Sequence, residues 1–295
     1  ELFMQEILNK VRLYLSMDEA DFAETLGVTT ATVKRWENGK SQPGKRIQTR
    51  LYELCKKRQV PVYNMILEKI ETASENINLE TNRILLYHGS KSGIKGKIEP
   101  RSRKQCDFGQ GFYMGTEPSQ PLTLICDYEK SRFYIISISI SDLQVLDIPA
   151  DIEWAMLVAY HRGRMESIKD SPFYNKYRDM DKDADLVVGR IANDRMFYVI
   201  DNFFVGNITD KALINSLAAL KLGKQYVAVS RKACDAVRIE AEIPISDFER
   251  HFIQEVASEN RDKGVSLANM ICKDYRREGL FFDEILEKVI KGDLS

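Results

Sequence analysis

Histidine and cysteine, the side chains that metal centres and disulfide frameworks require, are scarce in this sequence. Three histidines and five cysteines occur among 295 residues. The cysteines are odd in number, widely spread and without a C-x-x-C pair, which argues against both a disulfide framework and a zinc site. The sequence therefore predicts reduced thiols in a cytoplasmic protein that binds no metal.

Long apolar runs are missing as well. No stretch of about 18 consecutive apolar residues occurs, so no segment is expected to span a membrane. Nor does a G-x-G-x-x-G motif lie between a predicted strand and a helix with an acidic residue about 20 residues later. A dinucleotide site in this chain is therefore not expected to be of the Rossmann type.

Charge is nearly balanced over the whole chain but not along it. The formal net charge is −1. Residues 32–60, however, carry nine lysines and arginines against two glutamates. One concentrated basic segment in a near-neutral chain indicates an anionic partner at that segment alone.

Four short helices are predicted around this basic segment from the spacing of apolar residues and from capping signals. Asp18 precedes the second helix, and Gly27 ends it. Thr29 or Thr30 precedes the third helix, and Gly39 ends it. The predicted helices cover residues 3–15, 18–26, 31–38 and 45–58.

Residues 23–43 follow the pattern A-x-x-L-G-V-T-x-x-T-V-x-x-W-E-N-G-x-x-x-P, which closely resembles the helix-turn-helix of Cro/Xre-type regulators. The resemblance implies that the third helix enters the major groove of DNA, while Trp36 packs in the small core. The candidate contacts are Thr30, Thr32 and Lys34 for base edges, and Arg35, Lys40 and Lys45 for phosphates. Two other interpretations stay open: a merely solvated basic face, and a domain of this type that binds a protein.

A helix running into a polar linker is predicted at residues 61–82, and the character of the sequence changes after it. Short runs of β-branched and aromatic residues predict strands at 84–88, 133–140, 143–147, 197–200 and 225–230. Helices are predicted at 118–128, 151–169 and 209–221, and residues 241–295 look helical throughout without a recognised motif. Strands mixed irregularly with helices predict an α+β domain.

The chain is thus predicted to be multidomain, with an all-α helix-turn-helix domain ahead of an α+β domain and a helical C-terminal extension. The predicted parts are the helix-turn-helix at 1–60, a helix and linker at 61–82, the α+β domain at 83–240 and the extension at 241–295.

Two glycine-containing motifs open the α+β region. Residues 86–90 are L-Y-H-G-S, and residues 107–116 are D-F-G-Q-G-F-Y-M-G-T. The first motif is expected to end a buried strand, and the glycines of the second let the backbone approach a ligand closely. His88 and Tyr113 then offer an imidazole and a phenol ring on either side of a gap.

These motifs resemble the NAD-binding core of diphtheria-toxin-like ADP-ribosyltransferases, which have H-G on the first strand and G-x-G-x-Y-F after it. The resemblance implies that His88 hydrogen-bonds the adenine ribose, that the Gly89 backbone holds the nicotinamide amide, and that Tyr113 stacks on the nicotinamide ring. The other residues expected to contact NAD are Ser90, Phe108, Gly109, Gly111, Phe112, Asn193 and Arg195.

More closely, the chain resembles a bacterial family of unassigned function that has ADP-ribosyltransferase-like motifs. Three separate matches carry this resemblance: Y-H-G-S at 87–90, D-F-G-x-G-F-Y at 107–113 and G-x-x-A-N-D-R at 189–195. Together they implicate the α+β region, rather than the N-terminal helices, in binding NAD as a substrate.

One position departs from the transferase pattern. Many of those enzymes carry x-E-Y-x-V-x on a later strand, where the glutamate binds the ribose 2′-hydroxyl, but Gln225 occupies that position here. Breaking the nicotinamide bond builds positive charge on the ribose, and loss of a stabilising group can cost about 3–4 kcal/mol. The site is therefore expected to be slower, restricted to single ADP-ribose transfer, or completed by another acid. Asp194 is the first candidate for that acid and Asp107 the second.

The resemblances imply an NAD-dependent mono-ADP-ribosyltransferase whose catalytic candidates are His88, Tyr113, Gln225 and Asp194. Its acceptor is a macromolecule of unspecified class. A DNA-binding domain fused to such an enzyme resembles toxins of toxin–antitoxin or defence systems, which have a separate neutralising protein. Two alternatives remain: a non-catalytic regulator that senses NAD or a related nucleotide and binds DNA as a homodimer, and an NAD glycohydrolase.

Overall fold

A computed structural model describes residues 3–191, 194–219 and 223–293. Its N-terminal part is all-helical, as predicted from the apolar spacing. The helices are α1 (Phe3–Tyr14), α2 (Glu19–Leu26), α3 (Thr30–Glu37), α4 (Lys45–Lys57) and α5 (Val62–Glu75).

Local capping sets the ends of α2 and α3 where the sequence indicated. The Asp18 carboxylate accepts from the first backbone N–H groups of α2, and Gly27 ends that helix with φ +67°. The Thr29 hydroxyl caps α3 by accepting from the Thr32 backbone N–H. Trp36 is buried, so its predicted place in the core is confirmed.

Seven strands form one mixed sheet in the central part of the chain. They are β1 (Arg83–Ser90), β2 (Phe112–Gly115), β3 (Arg132–Ser139), β4 (Val145–Asp147), β5 (Leu186–Arg190), β6 (Lys224–Ala228) and β7 (Val237–Pro244). Their order is β4-β5-β6-β2-β1-β3-β7, and only β4 and β5 pair in parallel. N-terminal helices followed by a mixed sheet with helices confirm the coarse fold prediction.

The sheet is only weakly paired near its middle, where β1 lies beside β2. β1 pairs with β3 along its whole length, from Arg83↔Ser139 to Ser90↔Arg132. With β2 it pairs only at Tyr87↔Gly115. Beyond that pair the two strands diverge, and the space between them is the cleft described in the next section.

The remaining helices are α6 (Ser119–Ile125), α7 (Ile152–His161), α8 (Pro172–Met180), α9 (Asp194–Phe204), α10 (Asp210–Ala219), α11 (Arg231–Asp235), α12 (Asp247–Tyr275) and α13 (Phe282–Ile290). The predicted strand at 197–200 was wrong because these residues lie inside α9. Val199, Ile200 and Phe203 are all buried on this helix, at helical rather than alternating spacing. A four-residue apolar run does not distinguish the two periods.

Two further predictions needed correction. The helix predicted at 151–169 ends at His161, because Gly163 follows with φ +70°. A short 3₁₀ helix then forms at Glu166–Ile168. The region from 241 does not begin as a helix, because β7 continues to Pro244 beside β3. α12 starts only after Ser246, which forms a capping box with Glu249.

The N-terminal helices and the sheet share one hydrophobic core. Ile7 and Val33 of the N-terminal helices belong to the same buried cluster as Phe133 of β3 and Phe252 of α12. α12 contacts α4 and α5, and it also contacts α6, which packs on β1 and β3. Within the described ranges, no helix is long and apolar enough to cross a membrane.

Candidate functional site

The divergence of β1 from β2 leaves a pocket of about 610 Å³, within the usual range for small-molecule sites. Residues of both strands line it, together with α6, the loop before β2, the end of α7 and β6. The lining residues are Tyr87, His88, Gly89, Arg103, Gln105, Cys106, Asp107, Tyr113, Met114, Gly115, Gln120, Pro121, Leu124, Arg162, Gly163, Arg164 and Gln225.

His88 bridges the two diverging strands. Its Nδ1 lies 2.7 Å from the Tyr113 carbonyl oxygen, and since a carbonyl only accepts, Nδ1 carries the proton. The ring stacks on Phe112 at 4.2 Å between centroids. Burial lowers the pKa of His88 to about 4, against the opposing effect of the Tyr113 hydrogen bond. At neutral pH the imidazole is therefore uncharged, with Nε2 left as an acceptor.

This lowered pKa makes the stability of the fold depend on pH. Below pH 6.5 the unfolded chain protonates His88 while the folded chain does not, so stability is lost as the pH falls toward the folded pKa of about 4. Between pH 7 and pH 5 we expect His88 to account for a loss of up to about 2 kcal/mol in the free energy of unfolding. Urea unfolding of the wild type and of His88→Asn at both pH values measures this. Equal losses in the two proteins would contradict it.

Tyr113 lines the pocket, and its hydroxyl is hydrogen-bonded within the protein. The hydroxyl donates to the Gly109 carbonyl at 2.8 Å and accepts from the Phe108 backbone N–H at 3.1 Å. Burial raises the pKa of Tyr113. The side chain can therefore offer a flat surface to a planar ligand while its hydroxyl anchors the loop before β2.

The glycines of that loop serve protein packing rather than the pocket. Gly109 has φ +68°, and a Cβ there would lie 2.8 Å from Nδ1 of His161. A Cβ at Gly111 would lie 2.4 Å from Cγ1 of Val227 on β6. Neither glycine lines the pocket, so the close approach that they permit is to other parts of the chain.

Three other predicted contacts also lie outside the pocket lining. Phe108 is buried in the core against Gly189. Phe112 packs behind the His88 ring, and Ser90 stands opposite Arg132 at the end of β1. Of these three residues, Phe112 acts closest to the site because it supports the imidazole.

Gly89 does line the pocket, and α6 explains why it is a glycine. A Cβ at this position would lie 2.7 Å from the Pro121 carbonyl and 2.8 Å from Cγ2 of Ile125. The absence of a side chain therefore lets α6 pack directly on β1 and form one wall of the cleft.

A carboxylate lies beside Gln225 at the floor of the pocket. Gln225 Nε2 donates to the Arg190 carbonyl at 3.0 Å and lies 3.5 Å from Oδ2 of Asp107. Oδ1 of Asp107 accepts from Nε and Nη2 of Arg162 at 3.1 and 2.7 Å. Asp107 and Gln225 are both buried. The hydrogen bonds with Arg162 and with the Arg190 carbonyl hold the two side chains in place.

Arginines also line the pocket, and among them Arg162 and Arg164 were not predicted from the sequence. Arg162 and Arg164 flank Gly163, which ends the turn after α7 with φ +70°. Arg103 comes from the loop before β2, and its side chain, like that of Arg164, is exposed. The R-G-R triplet inside the helix predicted at 151–169 was the available signal, but nothing local shows that it meets a loop some 55 residues earlier.

The third sequence motif is only partly described. Asn193 lies outside the described residues, as do the side chains of Asp194 and Arg195, whose backbone begins α9. Their assignments to the site stay predictions. Among the described residues, no group of three or more His, Cys, Asp or Glu side chains could hold a metal ion.

The candidate DNA contacts on and just after α3 lie outside the core. Lys34 and Arg35 of α3 and Lys40 after it are exposed, while Thr30 and Thr32 are half-buried at the start of the helix. Lys34 is paired with Glu19 at 3.1 Å, and the Thr32 hydroxyl with that of Thr29 at 2.9 Å.

Lys45 lies elsewhere. Its Nζ is 3.9 Å from carboxylate oxygens of both Glu129 and Asp247, where α4 approaches α12. It therefore faces acidic groups of the following part of the chain, and this placement does not extend the exposed basic face of α3.

The structure thus defines a mixed α+β protein with a cleft between two diverging strands and an added N-terminal helical part. A family model described as "Protein of unknown function (DUF3990)" matches residues 84–239. This match covers more than half of the chain, which therefore belongs to that family. Neither a curated protein nor a solved structure matches the chain.

Proposed function

We propose that the chain is an NAD-dependent mono-ADP-ribosyltransferase. One observation carries the proposal: a single pocket of about 610 Å³ is lined by His88, Gly89, Tyr113 and Gln225, which come from three different strands. These are the positions to which the transferase resemblance assigns the binding of NAD. Residues separated by more than 130 positions in sequence therefore line one cleft, as a shared ligand would require.

The chemistry of the lining suits NAD. The Tyr113 ring offers a flat surface for nicotinamide, and the uncharged His88 offers Nε2 as an acceptor for a ribose hydroxyl. The exposed guanidinium groups of Arg103 and Arg164 lie where they can attract the pyrophosphate. NAD itself carries the reactive bond, so the protein's part is orientation and charge.

A second function, a non-catalytic regulator that senses NAD and binds DNA, is favoured by one residue. Gln225 is a neutral amide where the transferases have a glutamate. A neutral amide stabilises a developing positive charge less than a carboxylate does. In this case the cleft would bind NAD without cleaving it, and the N-terminal helices would bind DNA in response.

Adenine-labelled NAD, incubated with the purified protein and a bacterial extract, separates these functions. Label transferred to macromolecules supports the transferase, and digestion with protease or nuclease then identifies the acceptor class. Label recovered only as free ADP-ribose indicates an NAD glycohydrolase. Unchanged NAD, together with measurable NAD binding, indicates the regulator and contradicts the transferase.

We also propose that α3 contacts DNA, whichever of these functions the cleft performs. Arg35→Ala is expected to weaken binding to duplex DNA and to reduce the salt dependence of the binding constant by about one unit of slope, because one phosphate contact is lost. Fluorescence anisotropy over a series of salt concentrations measures both. Arg276→Ala, an exposed arginine at the end of α12, is the matched control. Equal effects of the two substitutions would contradict an α3 contact.

A further inference from the structure

We propose that Asp107 supplies the negative charge at the reacting ribose and that Gln225 orients the ribose hydroxyl, so that two side chains share what one glutamate does in the transferases. The proposal rests on the proposed function and names how that site works without a glutamate. Asp107 was only the second sequence candidate, and its surroundings in the fold now favour it.

The orientation of Gln225 follows from its backbone partner. Because the Arg190 carbonyl can only accept, the contact at 3.0 Å identifies the atom facing it as Nε2. Oε1 then lies on the other side of the amide, and within the described ranges it accepts no hydrogen bond. Since Gln225 lines the pocket, Oε1 is able to accept from a ribose hydroxyl, as a glutamate oxygen would.

The two oxygens of Asp107 have different roles. Oδ1 accepts both hydrogen bonds from Arg162, which fix the carboxylate in place. Oδ2 has only the long contact of 3.5 Å with Gln225, a weak hydrogen bond that leaves it able to accept another. The buried carboxylate is thus held rigidly with one oxygen available beside Gln225.

The ion pair with Arg162 does not cancel the charge of Asp107 completely. Nη1 of Arg162 also lies 3.4 Å from Oδ1 of Asp201, so one guanidinium is shared between two carboxylates. Asp201 is exposed and screened by water, whereas Asp107 lies at the pocket floor, where its field acts through less solvent.

No other described lining residue is acidic. The lining includes arginines and neutral polar side chains, but Asp107 is its only carboxylate within the part of the chain that the structure describes. A transition state with positive charge on the ribose therefore has one candidate counter-charge among these residues.

The proposed step involves one bond broken and one bond formed. The bond between ribose C1′ and the nicotinamide nitrogen breaks, and its electron pair stays on that nitrogen, which becomes neutral. Positive charge develops on C1′ and the ring oxygen, opposite the Asp107 carboxylate. An electron pair of the acceptor's nucleophile then forms the new bond to C1′, and the acceptor's proton passes to Asp107 or to solvent.

Asp107→Asn tests this charge while it preserves the shape of the side chain. We expect nicotinamide release to fall about 100-fold, with NAD affinity measured by calorimetry little changed. Gln110→Ala, in the same loop but exposed and outside the pocket lining, should retain the wild-type rate. Thermal unfolding of each variant shows whether the fold is retained.

The double variant Asp107→Asn with Gln225→Glu provides the decisive comparison, because it returns a carboxylate to the site on the other residue. Recovery of at least about tenfold over Asp107→Asn alone is expected. Gln225→Glu alone places two carboxylates side by side, which raises the pKa of one of them and moves the acid limb of the rate profile to higher pH.

The outcomes separate this proposal from the proposed function. An active wild type whose rate survives Asp107→Asn would overturn the role of Asp107 and leave the transferase intact. A folded Asp107→Asn protein that Gln225→Glu does not rescue would also overturn it, since charge alone would not be what was lost. A wild type that releases no nicotinamide would instead refute the transferase itself.

Discussion

His88→Ala is expected to lower the rate of nicotinamide release from NAD by about 100-fold, because a small misplacement of bound substrate can cost that much. The substitution removes two functions at once. Nε2 is lost as an acceptor in the pocket, and the Nδ1 hydrogen bond that joins β1 to the Tyr113 carbonyl is lost as well. The strands that form the cleft would then be free to change their separation.

Two conservative substitutions separate these functions. The amide nitrogen of asparagine can take the place of Nδ1, so His88→Asn keeps the bridge to β2 and loses the acceptor. Glutamine reaches the position of Nε2, so His88→Gln keeps a polar group in the pocket and loses the bridge. If His88 binds substrate, His88→Asn should be nearly as inactive as His88→Ala while its melting temperature stays close to that of the wild type. Full activity of His88→Asn would show that the histidine is only structural.

Lys69→Met is expected to lower the free energy of unfolding by about 3–5 kcal/mol, the usual cost of breaking a buried ion pair from one side. Lys69 on α5 donates to Oε1 of Glu249 on α12 at 2.7 Å, and both side chains are 1% exposed. Oε2 of Glu249 accepts from the backbone and hydroxyl of Ser246 at the start of α12. Methionine would fill much of the space but leave a carboxylate charge buried without its cation.

Urea unfolding of the wild type and three variants measures this effect and its origin. Adding Glu249→Gln to Lys69→Met removes the buried charge and keeps an oxygen for Ser246, so part of the lost stability should return. Lys263→Ala, on the exposed side of α12, is the control and should change the free energy of unfolding by less than about 0.5 kcal/mol. A loss below about 1 kcal/mol for Lys69→Met would show that this pair behaves as an exposed one.

Features decided by a few neighbouring residues could be predicted from the sequence. α2 and α3 begin after Asp18 and Thr29 and end within two residues of Gly27 and Gly39, because caps act within one turn. The single departure at Gln225 was equally visible, since it needs only one position on a predicted strand. Tyr113 was expected beside a gap and lines the pocket, whereas Phe108, which was also assigned to NAD, is buried in the core.

Features decided by distant residues could not be predicted. The contact of Asp107 with Arg162 depends on how the loop before β2 meets the end of α7, and no local pattern specifies that approach. For the same reason the glycines at 109 and 111 were assigned to a ligand, although His161 and Val227 occupy the space that a side chain would need. The short apolar run at 197–200 fits both a strand and a helix, and tertiary packing made it a helix.

The central claim is that the cleft between β1 and β2 binds NAD. A crystal structure with carba-NAD, whose nicotinamide bond resists cleavage because a methylene replaces the ribose ring oxygen, tests it most directly. We expect the nicotinamide ring against Tyr113, a ribose hydroxyl within hydrogen-bond distance of Gln225, and the pyrophosphate near Arg103 and Arg164. Carba-NAD bound elsewhere on the protein, or an empty cleft at a concentration that saturates binding in solution, would contradict it.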